Sequence, residues 1–438
     1  MSTTLAPVRI EPPTTHLMAE DPLLFRRART WWTLTALFLI AQAGGLFSGQ
    51  YQHYAVKLIR ETTNDPSHAL LPLTLAMVAI CIGLMVRHVE PMLQLMLRQR
   101  ALLAFPVLAV ASTLWSQVPL LTLRKAALLA LAFAFAWFMA TYYSPPDQMR
   151  VILGAGVLVG LASAAMAILL PQYGTSWDGA WKGVFTQKNH MGISIFFLFA
   201  GLPFCAVSSR RRLLKLASQA ILPLGLILLS RSRTSWFLTI FLIVLRVCGP
   251  AITRARREKI PFMLYTICFF FVAAAISLGF ILQMLGRDLT FTGRTHEWAI
   301  IAPFTLKHFW LGYGYQAFWS GVTGDSGTIH HLIGGQNVSD NGYLDGMLQF
   351  GLVGVVMLAV VLVACMRDFL RLLRGSYVPL IAYWYAALIL ATLVGSFTES
   401  LLWGASGGFN WFMFVLGCAG LRTLSLNQPT ERRHPDAA

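Results

Sequence analysis

The sequence predicts an all-α fold, a polytopic membrane helical bundle of about twelve transmembrane helices, and three observations predict it. The chain of 438 residues is 56% hydrophobic and 12% charged, whereas soluble domains run nearer 45–50% apolar and about 25% charged. Its charges sit between long apolar runs rather than within them, the arrangement a bilayer requires. The alternating pattern of a membrane barrel is absent, which leaves the helix as the element able to satisfy its own backbone in lipid.

Each apolar run of about twenty residues is long enough to cross the hydrocarbon core. In chain order the predicted spans are 31–48, 69–86, 101–115, 124–143, 149–170, 190–207, 213–229, 236–250, 261–285, 344–365, 377–397 and 404–421. The segment 87–100 (RHVEPMLQLMLRQR) reads as a basic connector at the interface. This divides the chain into an N-terminal tail (1–30), helices one to nine (31–285), a loop (286–343), helices ten to twelve (344–421) and a C-terminal tail (422–438). The first apolar run follows Arg26, Arg27 and Arg29 and is expected to stay as an uncleaved anchor.

The basic residues set the orientation. With the N-terminus inside and spans alternating, 23 of the 34 Lys and Arg residues fall on the inner side. That bias predicts an inner plasma-membrane protein with both termini cytoplasmic and an active face that is periplasmic. The net charge of +16 is therefore read as membrane flanking rather than nucleic-acid binding. The loop 286–343 faces outward, and at this length it is too long for a passive connection. It is expected to carry one or two interfacial helices folded over the bundle, with Trp298, Ile301, Ala302 and Phe309 on one face and Pro303 kinking or restarting the helix.

The outer basic residues break the orientation rule and call for a reason. A guanidinium forks two hydrogen bonds onto phosphate, so Arg231 and Arg233 in SRSRTSW, Arg294, and Lys188 are candidates for gripping a lipid pyrophosphate. His330 and His331 are candidate proton acceptors, or solvated loop histidines. Asp340 is a candidate base if burial raises its pKa, or the N-cap of span ten in SDNGYLD. Glu399, in FTES beside the membrane, is either catalytic or paired with an arginine. Asn189 and His190 begin span six and either cap it or hold a polar ligand.

No nucleotide-binding loop, dinucleotide fingerprint or acidic metal cluster occurs in the sequence. No cofactor and no metal are expected. The six cysteines lie in or beside apolar runs and read as small apolar residues.

Four stretches, STLWSQVPLLTLRKA (112–126), GVFTQKNHMG (183–192), SRSRTSW (230–236) and TGRTHEW (292–298), are followed in order by LGYGYQAFW, DNGYLDGMLQFGLVG (340–354) and FTES (397–400). In this order the chain resembles the O-antigen ligase and O-antigen and exopolysaccharide polymerase superfamily, in particular its exopolysaccharide-polymerase-like branch. The resemblance implies a GT-C-like bundle. It also implies a metal-independent, inverting glycosyltransferase that moves an undecaprenyl-pyrophosphate-linked glycan to a sugar hydroxyl. Arg233 and Arg294 then match the arginines that hold the pyrophosphate, and Asn341 and Tyr343 lie in the matched DNGYL stretch. Family members commonly carry His-Asn where this chain has Asp340-Asn341, so the base is Asp340, or His330 or His331 folded into the site, or no strong base is needed.

The implied partners are the lipid-linked glycan donor, a glycan or lipid A core acceptor, the bilayer and other polysaccharide-assembly proteins, with no nucleic acid. Polymerase and ligase share the donor and differ in acceptor. A transporter or flippase would instead place charged or broken helices at mid-membrane.

Overall fold

Proline and serine punctuation starts several helices, and apolar length sustains them. The computed structural model describes residues 83, 89–205, 209–254, 294–320, 324–332, 338–374, 378–403 and 407–427. The predicted spans 31–48 and 261–285 lie outside these residues, as does 69–86 apart from residue 83. The described chain is helical, with one isolated antiparallel bridge between Thr175 and Trp181.

Helices α1 (Val89–Arg98) and α2 (Arg100–Ala111) meet at a bend of 98°. The predicted basic connector is thus itself a helix. α3 (Pro119–Tyr142) and α4 (Pro145–Leu169) both begin with proline, whose missing N–H costs nothing in the first turn. Ser144 caps α4 by accepting from the Asp147 amide. α5 (Lys188–Phe199), α6 (Arg210–Leu229) and α7 (Arg233–Arg254) follow, then α8 (Arg294–Lys307), α9 (Gly324–Leu332), α10 (Gly342–Arg374), α11 (Leu380–Gly395) and α12 (Gly407–Leu426). Five helices are long and apolar enough to cross a membrane, or six if the bent pair α1–α2 is one span.

α12 forms the centre. Trp411, Phe412, Met413, Phe414, Val415 and Leu416 are all fully buried, and the helix packs against α3, α10 and α11. A helix buried on every side has no polar face to read. α6 is the opposite case, with Leu213, Leu214, Ile221, Leu224, Leu228 and Leu229 exposed, as a lipid-facing helix requires. Between helices in lipid, dispersion and close packing replace the hydrophobic drive. Aromatic contacts such as Phe105–Trp411 and Phe133–Trp411, with centroids 5.1 and 5.0 Å apart, supply part of it.

The predicted outer loop departs from expectation in two ways. α8 runs through Pro303 without breaking. Its buried residues are Ile301 and Thr305, while Ala302, expected on the apolar face, is exposed. The stretch after it enters the protein instead of lying over it: Tyr313, Tyr315, Ala317 and Phe318 are buried. It docks where α10 breaks at Gly351, whose φ of 59° and ψ of −157° fall outside the helix. The Tyr313 amide donates to the Leu348 carbonyl (2.7 Å), Gly314 to Gln349 (3.1 Å), Leu352 to Phe309 (2.8 Å) and Val353 to Trp310 (3.2 Å). The loop thereby supplies the partners that the interrupted helix lacks, the condition for irregular backbone away from water. Glycine is required at both sides of this seam. A Cβ on Gly312 or Gly351 would lie 2.5 Å from the facing backbone, and both residues have positive φ.

Candidate active site

Three chain segments far apart in sequence converge at one end of the bundle. Arg294 opens α8, Asp340 precedes α10, and Glu399 lies in the turn between α11 and α12. Arg294 Nη2 is 3.0 Å from Asp340 Oδ2 and 3.1 Å from Glu399 Oε1, and its Nη1 donates to the Thr398 carbonyl. Asn189, in the first turn of α5, donates through Nδ2 to the same Glu399 oxygen at 2.8 Å. Glu399 has the arginine partner expected for a carboxylate beside a membrane. Its side chain is 7% exposed, against 28% for Asp340, so Asp340 is the accessible carboxylate and Glu399 lies beneath it.

The electrostatics follow from that burial. Burial pushes the Asp340 carboxyl above the ordinary aspartate range despite the facing Arg294. Glu399 is pushed up to about 7, first by burial and then by the charge of Asp340, against the opposing pull of Arg294. One guanidinium facing two carboxylates leaves a surplus negative charge, which favours keeping a proton on the pair.

Local structure explains why Asp340 is available. The N-cap of α10 is Asn341, not Asp340: the Asn341 Oδ1 accepts from the amides of Tyr343 (3.0 Å) and Leu344 (3.2 Å). Asp340 itself adopts φ 51°, a left-handed conformation that aspartate tolerates better than most residues.

One carboxylate in this region escapes the sequence reading. Asp345, in the first turn of α10, is completely buried. It accepts from Trp319 Nε1 (2.9 Å) and the Ser339 amide (3.4 Å), and from the Ser400 hydroxyl. Ser339 and Ser400 are the immediate neighbours of Asp340 and Glu399, so one fully buried carboxylate fastens both segments that carry the Arg294 partners. The only signal in the sequence is a second acidic residue in DNGYLDG, and its partners are brought to it only by the fold.

The other predicted residues are placed as follows. Arg233 is the first residue of α7, is exposed, and makes no ion pair or hydrogen bond among the described residues. Its neighbour Thr234 meets Thr398 at 3.1 Å between hydroxyls, which puts the start of α7 beside the Arg294 cluster. Arg231 and Lys188 meet each other instead, at Asp178: Lys188 forms an ion pair with its carboxylate and Arg231 Nη1 donates to its carbonyl at 3.0 Å. His190 Nδ1 lies 3.4 Å from the Thr186 hydroxyl. Tyr343 donates to the Leu393 carbonyl (2.8 Å) and packs on Phe397. His330 and His331 belong to α9. No group of three metal-ligating side chains occurs among the described residues.

Comparison with known proteins adds to this geometry. Residues 219–359 match the family model described as O-antigen ligase, a segment that includes Arg231, Arg233, Arg294 and Asp340 but neither Asn189 nor Glu399. The chain is also 26% identical over 290 residues to the exopolysaccharide production protein ExoQ of Rhizobium meliloti (strain 1021), covering 59% of this chain and 62% of that relative. It thus spans less than two thirds of the length of the curated relative it matches. The matched segment and the curated relative support a likeness to the O-antigen ligase and exopolysaccharide-production proteins, and the apolar helices are consistent with a membrane helical protein.

Proposed function

We propose that the chain transfers an undecaprenyl-pyrophosphate-linked glycan to an acceptor sugar hydroxyl on the periplasmic face, polymerising exopolysaccharide or O-antigen repeat units. In this reading the chain has twelve spans, both termini are cytoplasmic, and the Arg294–Asp340–Glu399 cluster looks outward. The observation that carries it is the meeting of an accessible carboxylate of raised pKa, an arginine and a second arginine unpaired among the described residues, at one end of a membrane bundle.

The step balances without a metal. The acceptor O–H attacks the anomeric carbon from the face opposite the leaving group, and its proton passes to Asp340. The bond from the anomeric carbon to the phosphate oxygen breaks, and its electron pair leaves with the lipid pyrophosphate. Arg233, which has no competing partner among the described residues, meets that charge as it develops, and Arg294 joins it as Asp340 takes up the acceptor proton. Inversion follows from a single displacement.

Arg233→Ala tests the grip cleanly, because the side chain is exposed and bonds to no other described residue. Polymer or ligated glycan is expected to fall by about a hundredfold or more while the variant inserts at wild-type level. Arg233→Lys also fails if paired hydrogen bonds are needed. Normal product from Arg233→Ala would sink the pyrophosphate grip. Deletion separates the acceptors: loss of secreted polymer with intact lipopolysaccharide marks a polymerase, and uncapped lipid A core marks a ligase.

A further inference from the structure

At the far end of α10 from Asp340, the structure holds a second basic site. Residues 352–368 span roughly 24 Å at about 1.5 Å per residue, so Asp368 lies deep toward the opposite end of the bundle. There Arg98, Gln99, Arg100, Arg367, Asp368 and Arg422 line a cavity of about 180 Å³. Three arginines contact the one carboxylate. Asp368 takes Arg422 at 2.8 Å and Arg367 at 3.9 Å, and Arg371, just outside the cavity, at 3.4 Å.

The site is held in shape by neutral bonds. Gln99 sits at the 98° corner between α1 and α2, donates to the Cys418 carbonyl of α12 (3.1 Å) and accepts from Trp137 of α3 (2.6 Å). These bonds tie the corner to α3 and α12, with Arg98 and Arg100 exposed on either side of it. The orientation rule and the helix dipole account for arginines near such an end. They do not account for the Arg422 Nε, which is buried with no hydrogen-bond partner among the described residues. A buried guanidinium N–H left without an acceptor is costly, and the surplus cationic charge beside it calls for an anion.

We propose that this cavity binds a phosphate group, with Arg98, Arg100 and Arg422 as its donors and Asp368 orienting Arg422. An anionic phospholipid headgroup and a soluble phosphate share that chemistry. Lipid-headgroup sites of this kind form where basic residues gather between helices at the membrane edge.

The full chain, purified in neutral detergent, is exchanged into micelles doped with phosphatidylglycerol or with phosphatidylcholine, and retained lipid is read by native mass spectrometry. The wild type is expected to retain phosphatidylglycerol over phosphatidylcholine. Arg98→Gln with Arg100→Gln is expected to lower that retention by about tenfold. The exposed pair Arg210→Gln with Arg211→Gln serves as the charge-matched control and leaves it unchanged. Arg422→Gln also strips Asp368 of its closest partner, so the decision rests on the double variant. Titration with inorganic phosphate separates the sources. If phosphate displaces the lipid and raises Tm in the wild type but not in the double variant, the ligand is a soluble phosphate; if it does neither, the ligand is the headgroup. Retention by Arg98→Gln/Arg100→Gln equal to wild type, or lowered only as far as in the control pair, overturns the proposal.

Discussion

Asp340 stands where family members commonly carry a histidine, and its surroundings compensate for the change of residue. A free aspartate is a poor base near neutral pH because its proton is held too weakly. Burial raises the Asp340 carboxyl toward the working range, and Glu399 at about 7 shares in the same titration. If Asp340 takes the acceptor proton, it must be ionised to act, so the rate falls as pH drops through a value above the ordinary aspartate range. Asp340→Asn should lower transfer by about a hundredfold or more, and Asp340→His should restore part of it, because imidazole can hold the same proton. In Glu297→Gln the charge that opposes ionisation of Asp340 is removed, so the acid limb of the rate–pH profile should move to lower pH. Unchanged transfer in Asp340→Asn together with an unchanged profile in Glu297→Gln would remove Asp340 from the chemistry. Arg294→Ala is a less discriminating change, since leaving the buried Glu399 carboxylate without its cation costs about 3–5 kcal/mol by itself. The pairing of Glu399 with an arginine was legible in the sequence, because an isolated carboxylate at a membrane edge demands one. That the arginine is Arg294, and that Asn189 joins it, depends on contacts between residues more than a hundred positions apart.

At the scale of elements, the helices α3, α4, α6, α10 and α12 were readable from apolar length, because composition alone decides what can cross lipid. The loop after α8 was not. Its Gly-Tyr-Gly-Tyr run carries the same residues as an interfacial belt, and only the break at Gly351 provides the backbone surface that draws it inside. Asn341 as the cap of α10 was hidden for a related reason: Asp and Asn are near-equal caps, and sequence does not rank adjacent candidates. The Asp345 tether is an element-scale device and can be tested as one. Asp345→Ala removes the acceptor shared by Trp319, Ser339 and Ser400, and should lower kcat with little change in donor KM if Asp340 and Glu399 lose their alignment. Asp345→Asn keeps one acceptor oxygen and should recover part of that loss. Equal loss in both variants together with a collapse of Tm would mean that the residue serves only stability.

The whole molecule separates two polar ends by an apolar body. One end gathers Arg294, Asp340, Glu399 and the Asp178 contacts, and the other gathers the arginines around Asp368. The bias of the basic residues predicts a direction for this axis, and the prediction can be checked in cells. In a background without native cysteines, Trp177→Cys, at a position 95% exposed near Asp178, should react with a membrane-impermeant maleimide in intact cells. Arg374→Cys, at the end of α10, should react only after permeabilisation; the reverse pattern would turn the active face inward. The interruption of α10 bears on how this axis holds together. Because the amides of Tyr313 and Gly314 occupy carbonyls before Gly351, and those of Leu352 and Val353 reach carbonyls of the loop, the short segment carrying Asp345 is spliced to the loop as firmly as to its own helix. In the cooperativity of unfolding, that segment belongs with its splint: opening the loop exposes both, while the long apolar half of α10 can remain in the bilayer with its hydrogen bonds intact.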